Sequence, residues 1–312
     1  MGGETMDVSV VIVNWNARDL LRGCLASIAK ETRASHEVFV IDNASKDGSC
    51  DMVRAEFPWV KLMENETNRG FAAANNQGLR EARGRYLLLL NPDTVILEGA
   101  IDKAIADADA RVDAGVVGCQ VWESPERIQR TCFSFPTPLN LFFSQTGLQK
   151  RFPRSRLLGR PELMWWDRMS ERDVDVVSGM FMLVRREAMD QVGLMDEDYF
   201  VYGEEADWCC RFWRAGWRCV FVPTGRILHL EGGGKSTSQV RVPMYVQLLK
   251  SLLLFNRKNF GVLAWACAKG VFVLAMALKW ATGVWTGGEE GHARRRLARA
   301  SLAWLLTGKK PT

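Results

Sequence analysis

The sequence predicts an α/β fold, an open and mostly parallel sheet with helices on both faces, plus a C-terminal helical extension. Three observations carry this reading. Apolar runs suited to buried strands alternate with segments of helical spacing through the N-terminal third. These runs stop at Asn14, Asp42 and Asp93, polar residues at the strand ends where open α/β sheets bind ligands. From residue 240 on, apolar helical spacing dominates. The 312 residues, 47% hydrophobic and 25% charged, suffice for one large domain with an appendage and exclude a disordered or fibrous chain.

The first element, "DVSVVIVN" (7–14), is a β-branched apolar run and reads as a buried strand. "ARDLLRGCLASIAKE" (17–31) has helical spacing. "HEVFVIDNAS" (36–45) is a second strand ending in Asp42-Asn43, and "DGSCDMVRAEF" (47–57) a helix capped by Ser45 or Asp47. "WVKLMEN" (59–65) reads as a short strand and "GFAAANNQGLREARG" (70–84) as a small-residue helix ended by Gly84. "RYLLLLNPD" (85–93) is a very apolar strand stopping at Asn91-Pro92-Asp93.

Residues 124–173, with "RFPRSR" and "ELMWWDRMSERD", read as a loop-rich insertion. A strand pair follows, "DVDVVSG" (173–179) and "MFMLVRR" (180–186), then a short helix "EAMDQVG" (187–193). The stretch "VYGEEADWCCRFWRAG" (201–216) opens a helix, and "WRCVFVP" (217–223) is a strand that leads to "ILHLEGGGKS" (227–236). The expected division is one domain over 1–239 and a helical extension over 240–312.

Within the extension, residues 261–285 are long enough to cross a hydrocarbon core of roughly 30 Å. Lys269 lies near the middle, however, and a central lysine costs ~2.5–3.5 kcal/mol on insertion scales. Several Trp residues and the cluster Arg294, Arg295, Arg296 and Arg299 suit a helix lying on a membrane surface. A dimerisation or core-capping helix is the competing reading.

The formal net charge of +5 is mild, and no nucleic-acid partner is expected. The eight cysteines form no C-x-x-C pair and no disulfide-type spacing, which argues against a structural zinc site. With Glu4 and Asp7 where a secretory leader would be cationic, they read as reduced thiols in the cytoplasm.

Each candidate site residue has a plain structural rival. Asp42 suits hydrogen bonds from a nucleobase or ribose, or capping of the next helix. Asp93, in a Pro-fixed turn, suits a divalent ion bridging phosphates, or only the turn. The Gly and Ala residues of "NRGFAAANNQG" (68–78) suit close approach of a ligand, or of helix to sheet. His229 is a possible metal ligand and Lys235 a phosphate contact, though "HLEGGGKS" fails the P-loop pattern. Glu204, Glu205 and Asp207 favour a helix start by ~0.3–1 kcal/mol each, and partial burial would raise a carboxyl toward a general base.

The order of these motifs is more specific than any one. "VSVVIVNWN", "VIDNASKDGS", "NRGFAAANNQG", "LLLLNPDT", "VSGMFMLVRRE", "FVYGEEADWCCRFWRAG" and "ILHLEGGGKS" together resemble family 2 glycosyltransferases of the GT-A fold, especially bacterial rhamnosyltransferase-like members. The resemblance covers about residues 8–236. It implies that Asn14, Asn16 and Asp42 hold the nucleotide and that Asn68 and Gly70 lie near the donor. Asn91-Pro92-Asp93 stands where the family has a D-x-D motif, so Asn91 and Asp93 are placed at the donor with Asp93 as ligand of Mg2+ or Mn2+. His229 matches a position that supplies a second ligand, and Lys235 a diphosphate contact. The family's catalytic base falls on Glu205, with Glu204 the neighbouring choice.

The implied reaction is an inverting transfer of a sugar, rhamnose being the one suggested, from a nucleotide sugar to a hydroxyl of a lipid-linked or cell-surface glycan precursor. The implied location is the inner face of the cell membrane. Trp165, Trp166 and Trp208 are candidates for stacking on a sugar, with core packing as the other reading. The alternative function is a non-catalytic nucleotide-sugar-binding scaffold, motivated by the missing first carboxylate. A pyrophosphorylase is disfavoured, because "NWNARD" replaces the Gly- and Arg-rich loop it needs after the first strand.

Overall fold

A computed structural model of the chain describes residues 6–230, 241–286 and 288–308. The elements alternate as expected at first: β1 (Val8–Asn14), α1 (Arg18–Glu31), β2 (His36–Asp42), α2 (Ser49–Glu56), β3 (Lys61–Glu64), α3 (Phe71–Glu81) and β4 (Tyr86–Leu90). Then come β5 (Thr94–Leu97), α4 (Ala100–Ala110), β6 (Ala114–Ser124), β7 (Arg127–Ile128), β8 (Cys132–Phe133), α5 (Pro138–Gln145) and α6 (Leu148–Arg151). The remainder is β9 (Arg172–Asp173), β10 (Val176–Val177), β11 (Phe181–Arg185), α7 (Arg186–Val192), α8 (Glu204–Arg214), β12 (Arg218–His229), α9 (Arg241–Thr286) and α10 (Gly288–Thr307).

The main sheet runs β3-β2-β1-β4-β11-β6-β12-β5. Pairing is parallel from β3 to β4 and between β6 and β12. β11 runs antiparallel between β4 and β6, and β5 runs antiparallel to β12. Helices cover both faces. Val10 and Ile12 share a core with Leu21, Leu25 and Ile28 of α1, whereas Gly78 of α3 meets Val11 and Ile41. Neighbouring strand residues point to opposite faces, so α1 and α3 lie on opposite sides.

Several local expectations are corrected. The runs at 173–179 and 180–186 do not pair with each other: β10 pairs β8, and β11 pairs β4 and β6. Buried apolar runs show a strand but not its partner. Gly84 does not end α3, which stops at Glu81 with Ala82 as C-cap. Gly84 instead lets β1 pass close by, since a Cβ there would sit 2.4 Å from the Ser9 nitrogen. The two expected segments at 217–236 form one strand as far as His229, with a bulge between Phe221 and Arg226 that holds Pro223 and Gly225.

The chain divides into two compact units. One takes the described residues of Met1–Phe133, Trp166–Phe200 and Glu204–Gly234, and the other takes those of Ser134–Trp165, Val201–Gly203 and Lys235–Thr312. The chain thus crosses between units several times before residue 240. In the second unit, Leu141 of α5, Leu249, Phe272 and Met276 of α9 and Leu305 of α10 form one core. Phe135 stacks on Phe255, and the Asn256 amide donates to the Pro136 carbonyl at 2.8 Å. α9 is interrupted at Gly261, whose φ of 85° and ψ of −177° leave the helical region.

Packing of α3 on β1 and β2 generates a paired test. A Cβ at Gly78 would lie 2.8 Å from Val11 Cγ1, whereas one at Gly23 of α1 meets nothing within 4 Å. Gly78→Ala is expected to destabilise by about 1–3 kcal/mol through overpacking. Gly23→Ala is expected to stabilise by roughly 0.5–1 kcal/mol through helix propensity. Urea denaturation of both variants checks the opposite signs.

Candidate active site

β1 and β2 are in register at Asn14 and Asp42, and β1 places Ile12 beside Leu90 of β4. Asn14, Asp42 and the turn after Leu90 therefore leave the sheet at one carboxyl edge. The buried Asn14 amide donates to Asp42 Oδ1 at 2.8 Å and Ser45 Oγ at 3.1 Å. Asp42 Oδ2 accepts the Ser45 N–H at 2.8 Å, which closes an Asx turn. Ser45 Oγ accepts the Asn16 N–H, and Asn16 Oδ1 the Lys46 N–H, both at 2.8 Å. Asp42 is 2% exposed, so it first orders the loop, and each oxygen keeps a further lone pair.

Of the two caps expected for α2, Ser45 does not serve it, whereas Asp47 accepts the N–H of Ser49, the first residue of the helix. The N-cap position of α2 is Gly48, at φ 81°, without a side-chain cap bond of its own. Ser45 is engaged with Asn14 and Asn16, while Asp47 takes the N–H groups of Arg18 and Ser49 at 2.8 and 3.1 Å. Burial pushes the Asp47 carboxyl up, but the Ser49 hydroxyl and these N–H groups outweigh it and hold the carboxyl below its ordinary range.

Asn68 and Gly70 shape the next loop. Asn68 Oδ1 accepts the Gly70 N–H at 2.9 Å. Gly70 has φ 83°, and a Cβ there would lie 2.3 Å from the Phe200 carbonyl oxygen, which accepts the Phe71 N–H at 2.6 Å. The following alanines, Ala72, Ala73 and Ala74, are buried by packing. Asn43, which sequence reasoning passed over, joins these loops: its amide donates to the Gly70 carbonyl at 3.0 Å and its oxygen accepts from Asn65 at 2.9 Å. Its adjacency to Asp42 was the sole sequence signal.

The Asn91-Pro92-Asp93 turn is held by its backbone. The Asn91 N–H donates to the Met180 carbonyl at 3.2 Å, and the Thr94 hydroxyl to the Asn91 carbonyl at 2.7 Å. The Cys24 thiol lies beneath, 3.7 Å from Thr94 Oγ1. Burial raises its pKa to about 12, opposed by the Thr94 hydrogen bond and aided by the Asp93 charge, so it stays protonated.

Pairing of β5 with β12 sets Thr94 opposite His229, and the Leu230 N–H donates to the Asp93 carbonyl at 2.9 Å. His229 Nε2 is then 3.0 Å from Asp93 Oδ2. Asp93 Oδ1 is buried and has no hydrogen-bond partner among the described residues. His229 Nδ1 lies 3.0 Å from Oε1 of Gln129, a residue sequence reasoning did not single out. A carboxylate with an unused buried oxygen beside an imidazole nitrogen is a donor set that fits a divalent ion. Among the described residues no cluster of at least three His, Cys, Asp or Glu side chains is placed to hold a metal, so Asp93 and His229 are the pair this site offers. Lys235 lies outside the described residues.

The acids at the start of α8 divide their labour. Asp207 pairs with Arg211 at 3.0 Å, and Arg211 also donates to the Val192 and Leu194 carbonyls at 2.7 and 2.8 Å. Trp208 donates to the Gly193 carbonyl at 2.8 Å. These bonds fasten α8 to the loop after α7. Glu204 is buried and Glu205 half-buried, each with a carboxylate oxygen withdrawn from solvent. Tyr202 and Gly203, at φ 68° and 85°, lead into the helix through two consecutive left-handed residues. Such strain in a non-glycine residue is characteristic of functional segments. Asn14, Asp42, Asn68, Gly70, Asp93, Glu204, Glu205 and His229 all belong to the first unit.

Glycosyl transferase family 2 matches residues 9–193, more than half of the chain. The chain belongs to this family. Over 239 residues this glycosyltransferase is 29% identical to the N-acetylglucosaminyl-diphospho-decaprenol L-rhamnosyltransferase of Mycobacterium tuberculosis, with 70% of this chain and 75% of the relative covered. The Streptococcus pneumoniae glycosyltransferase GlyG is 29% identical over 35% of this chain and 38% of its own length. Among solved structures, the mannosyltransferase PcManGT of Pyrobaculum calidifontis, in complex with GDP-Man and Mn2+, aligns with a TM-score of 0.55 at 17% identity, covering 97% of this chain and 88% of the other. S. aureus TarS 1-349, in complex with UDP-GlcNAc, aligns with a TM-score of 0.56 at 15% identity, covering 96% and 81%. These likenesses establish the GT-A fold.

Two tryptophans of the glycosyltransferase are core residues, which decides between their two readings in favour of core packing. Trp208 is fully buried, and Trp166 packs edge-on against Phe221 at 4.8 Å. Bulk and spacing alone do not separate a sugar platform from a core anchor. Asn43→Ala leaves the Gly70 carbonyl and the Asn65 amide without a shared partner. It is expected to cost about 1–3 kcal/mol, read as a lower urea midpoint at unchanged slope.

Proposed function

We propose that this glycosyltransferase moves a sugar, rhamnose first among the candidates, from a nucleotide sugar to a hydroxyl of a lipid-linked glycan precursor, with inversion. The observation that carries the proposal is the Asp93–His229 pair, with one carboxylate oxygen buried and unused, at the carboxyl edge where Asn14 and Asp42 also emerge. The rhamnosyltransferase relative supports the choice of donor sugar and of a lipid-linked acceptor.

In this reading Asn14, Asn16 and Asp42 orient the nucleotide, and Asn68, Gly70 and Asn91 shape the wall beside the donor. Lys235 is assigned to the diphosphate. Asp93 and His229 hold a Mg2+ or Mn2+ ion. When bound, the ion supplies positive charge against the departing diphosphate. Glu205 takes the proton of the acceptor hydroxyl. The acceptor oxygen forms its bond to the anomeric carbon from the face opposite the leaving group. The bond from that carbon to the diphosphate oxygen breaks, and its electron pair leaves with the nucleoside diphosphate. Glu204 is the neighbouring carboxylate that takes the base role if Glu205 does not.

The reading also places the chain at the inner face of a membrane through α9. By length and composition Val242–Val284 is apolar enough to cross a bilayer, yet Gly261 breaks it and Lys269 interrupts its second half. The large exposure of Val262 and Leu263, 66% and 83%, favours a helix half-sunk in the interface.

Transfer and donor-hydrolysis assays with dTDP-rhamnose, run with and without Mn2+, test the assignment. Glu205→Gln is expected to lose about 100-fold or more in turnover. Wild-type rates in that variant would remove Glu205 as the base. Asp93→Asn is expected to abolish stimulation by Mn2+ and to leave the fold intact by circular dichroism. Nucleotide-sugar binding without transfer or hydrolysis by the wild type would favour a binding scaffold.

A further inference from the structure

We propose that Gln129 is the positioning residue that sets the tautomer and ring orientation of His229, and through them the strength of the divalent-ion site. The inference rests on the metal reading above and extends it to a residue outside every motif. His229 is 3% exposed, and its ring is held between two oxygens: Gln129 Oε1 at 3.0 Å from Nδ1 and Asp93 Oδ2 at 3.0 Å from Nε2. With the Gln129 oxygen, which can only accept, as the atom facing Nδ1, the proposal assigns the ring hydrogen to Nδ1. The Nε2 lone pair of the neutral ring then points at the carboxylate. Two acceptors facing each other at hydrogen-bond distance suit a cation shared by both. A neutral outer partner that accepts from the distal ring nitrogen is the usual way a protein fixes a metal-binding histidine.

The backbone explains how Gln129 comes to be there. The β6–β7 hairpin sets Trp122 opposite Ile128 and Ser124 opposite Arg127. The Gln129 N–H continues the ladder, donating to the Val121 carbonyl at 2.7 Å. β6 also pairs with β12, with Val121 beside Ile227 and Trp122 beside Leu228. One strand therefore fixes both the histidine and the residue that orients it.

Two measurements on full-length protein test the role. Histidine-selective ¹⁵N NMR reads the tautomer directly, and with only three histidines in the chain a His229→Ala spectrum assigns the signal. The wild type is expected to show His229 protonated at Nδ1. Gln129→Leu is expected to lose that preference, whereas Gln129→Glu, which keeps an acceptor, retains it. The second measurement is Mn2+ binding followed by electron paramagnetic resonance in the presence of UDP. Gln129→Leu is expected to bind about 10- to 100-fold more weakly than wild type, with Gln129→Glu close to wild type and all three melting alike. An unchanged tautomer and unchanged Mn2+ affinity in Gln129→Leu would overturn the assignment. Failure of the wild type itself to bind Mn2+ would instead remove the metal reading and this role at the site with it.

Discussion

The site depends on how the last strand of the sheet is paired. β12 lies between β6, to which it is parallel, and β5, to which it is antiparallel. The bulge between Phe221 and Arg226 lets it change register along β6 and still reach β5. Because β5 follows Asp93 directly, pairing of Thr94 with His229 brings the carboxylate and the imidazole together across 136 positions of sequence. Without that pairing Asp93 would be an acid in a Pro turn and His229 a buried histidine.

The other half of the site is organised by ordinary polar satisfaction. Asn14 and Asp42 sit at the ends of adjacent parallel strands, where no ladder remains to absorb their hydrogen bonds. They bind each other and Ser45, and the loop they close orders Asn16. Asn43 extends the same logic to the Gly70 turn, which touches Phe200 four residues before Glu204. These shared bonds hold several loops in one arrangement, and Asn14 Oδ1 is the buried atom of the group without a hydrogen-bond partner among the described residues. The bonds of Asp207, Arg211 and Trp208 do the same for the start of α8.

Much of this was legible beforehand. The alternation of buried runs and helical segments up to Asp93 matches the observed elements within a few residues, because central parallel strands are apolar on both faces and announce themselves. Asn14, Asp42 and Asp93 were legible as strand-end residues for the same reason. The pairing of β10 and β11 was not legible, because partner and register depend on distant segments. The sequence left two readings open for Trp166 and Trp208 because an aromatic residue has the same appearance there whether it faces a ligand or a core.

By itself the sequence determined the succession of strands and helices along the chain up to Asp93, the motif order that marks glycosyl transferase family 2, and the identity of the acids and the histidine available for chemistry. Periodicity and residue type are local properties, and they suffice for that. Only the tertiary structure decided that Asp93 meets His229, that Gln129 stands behind His229, and that Asp207 is taken by Arg211. Those facts depend on register and on a bulge in one strand, which set the distance between residues far apart in the chain and leave no periodic trace in either segment.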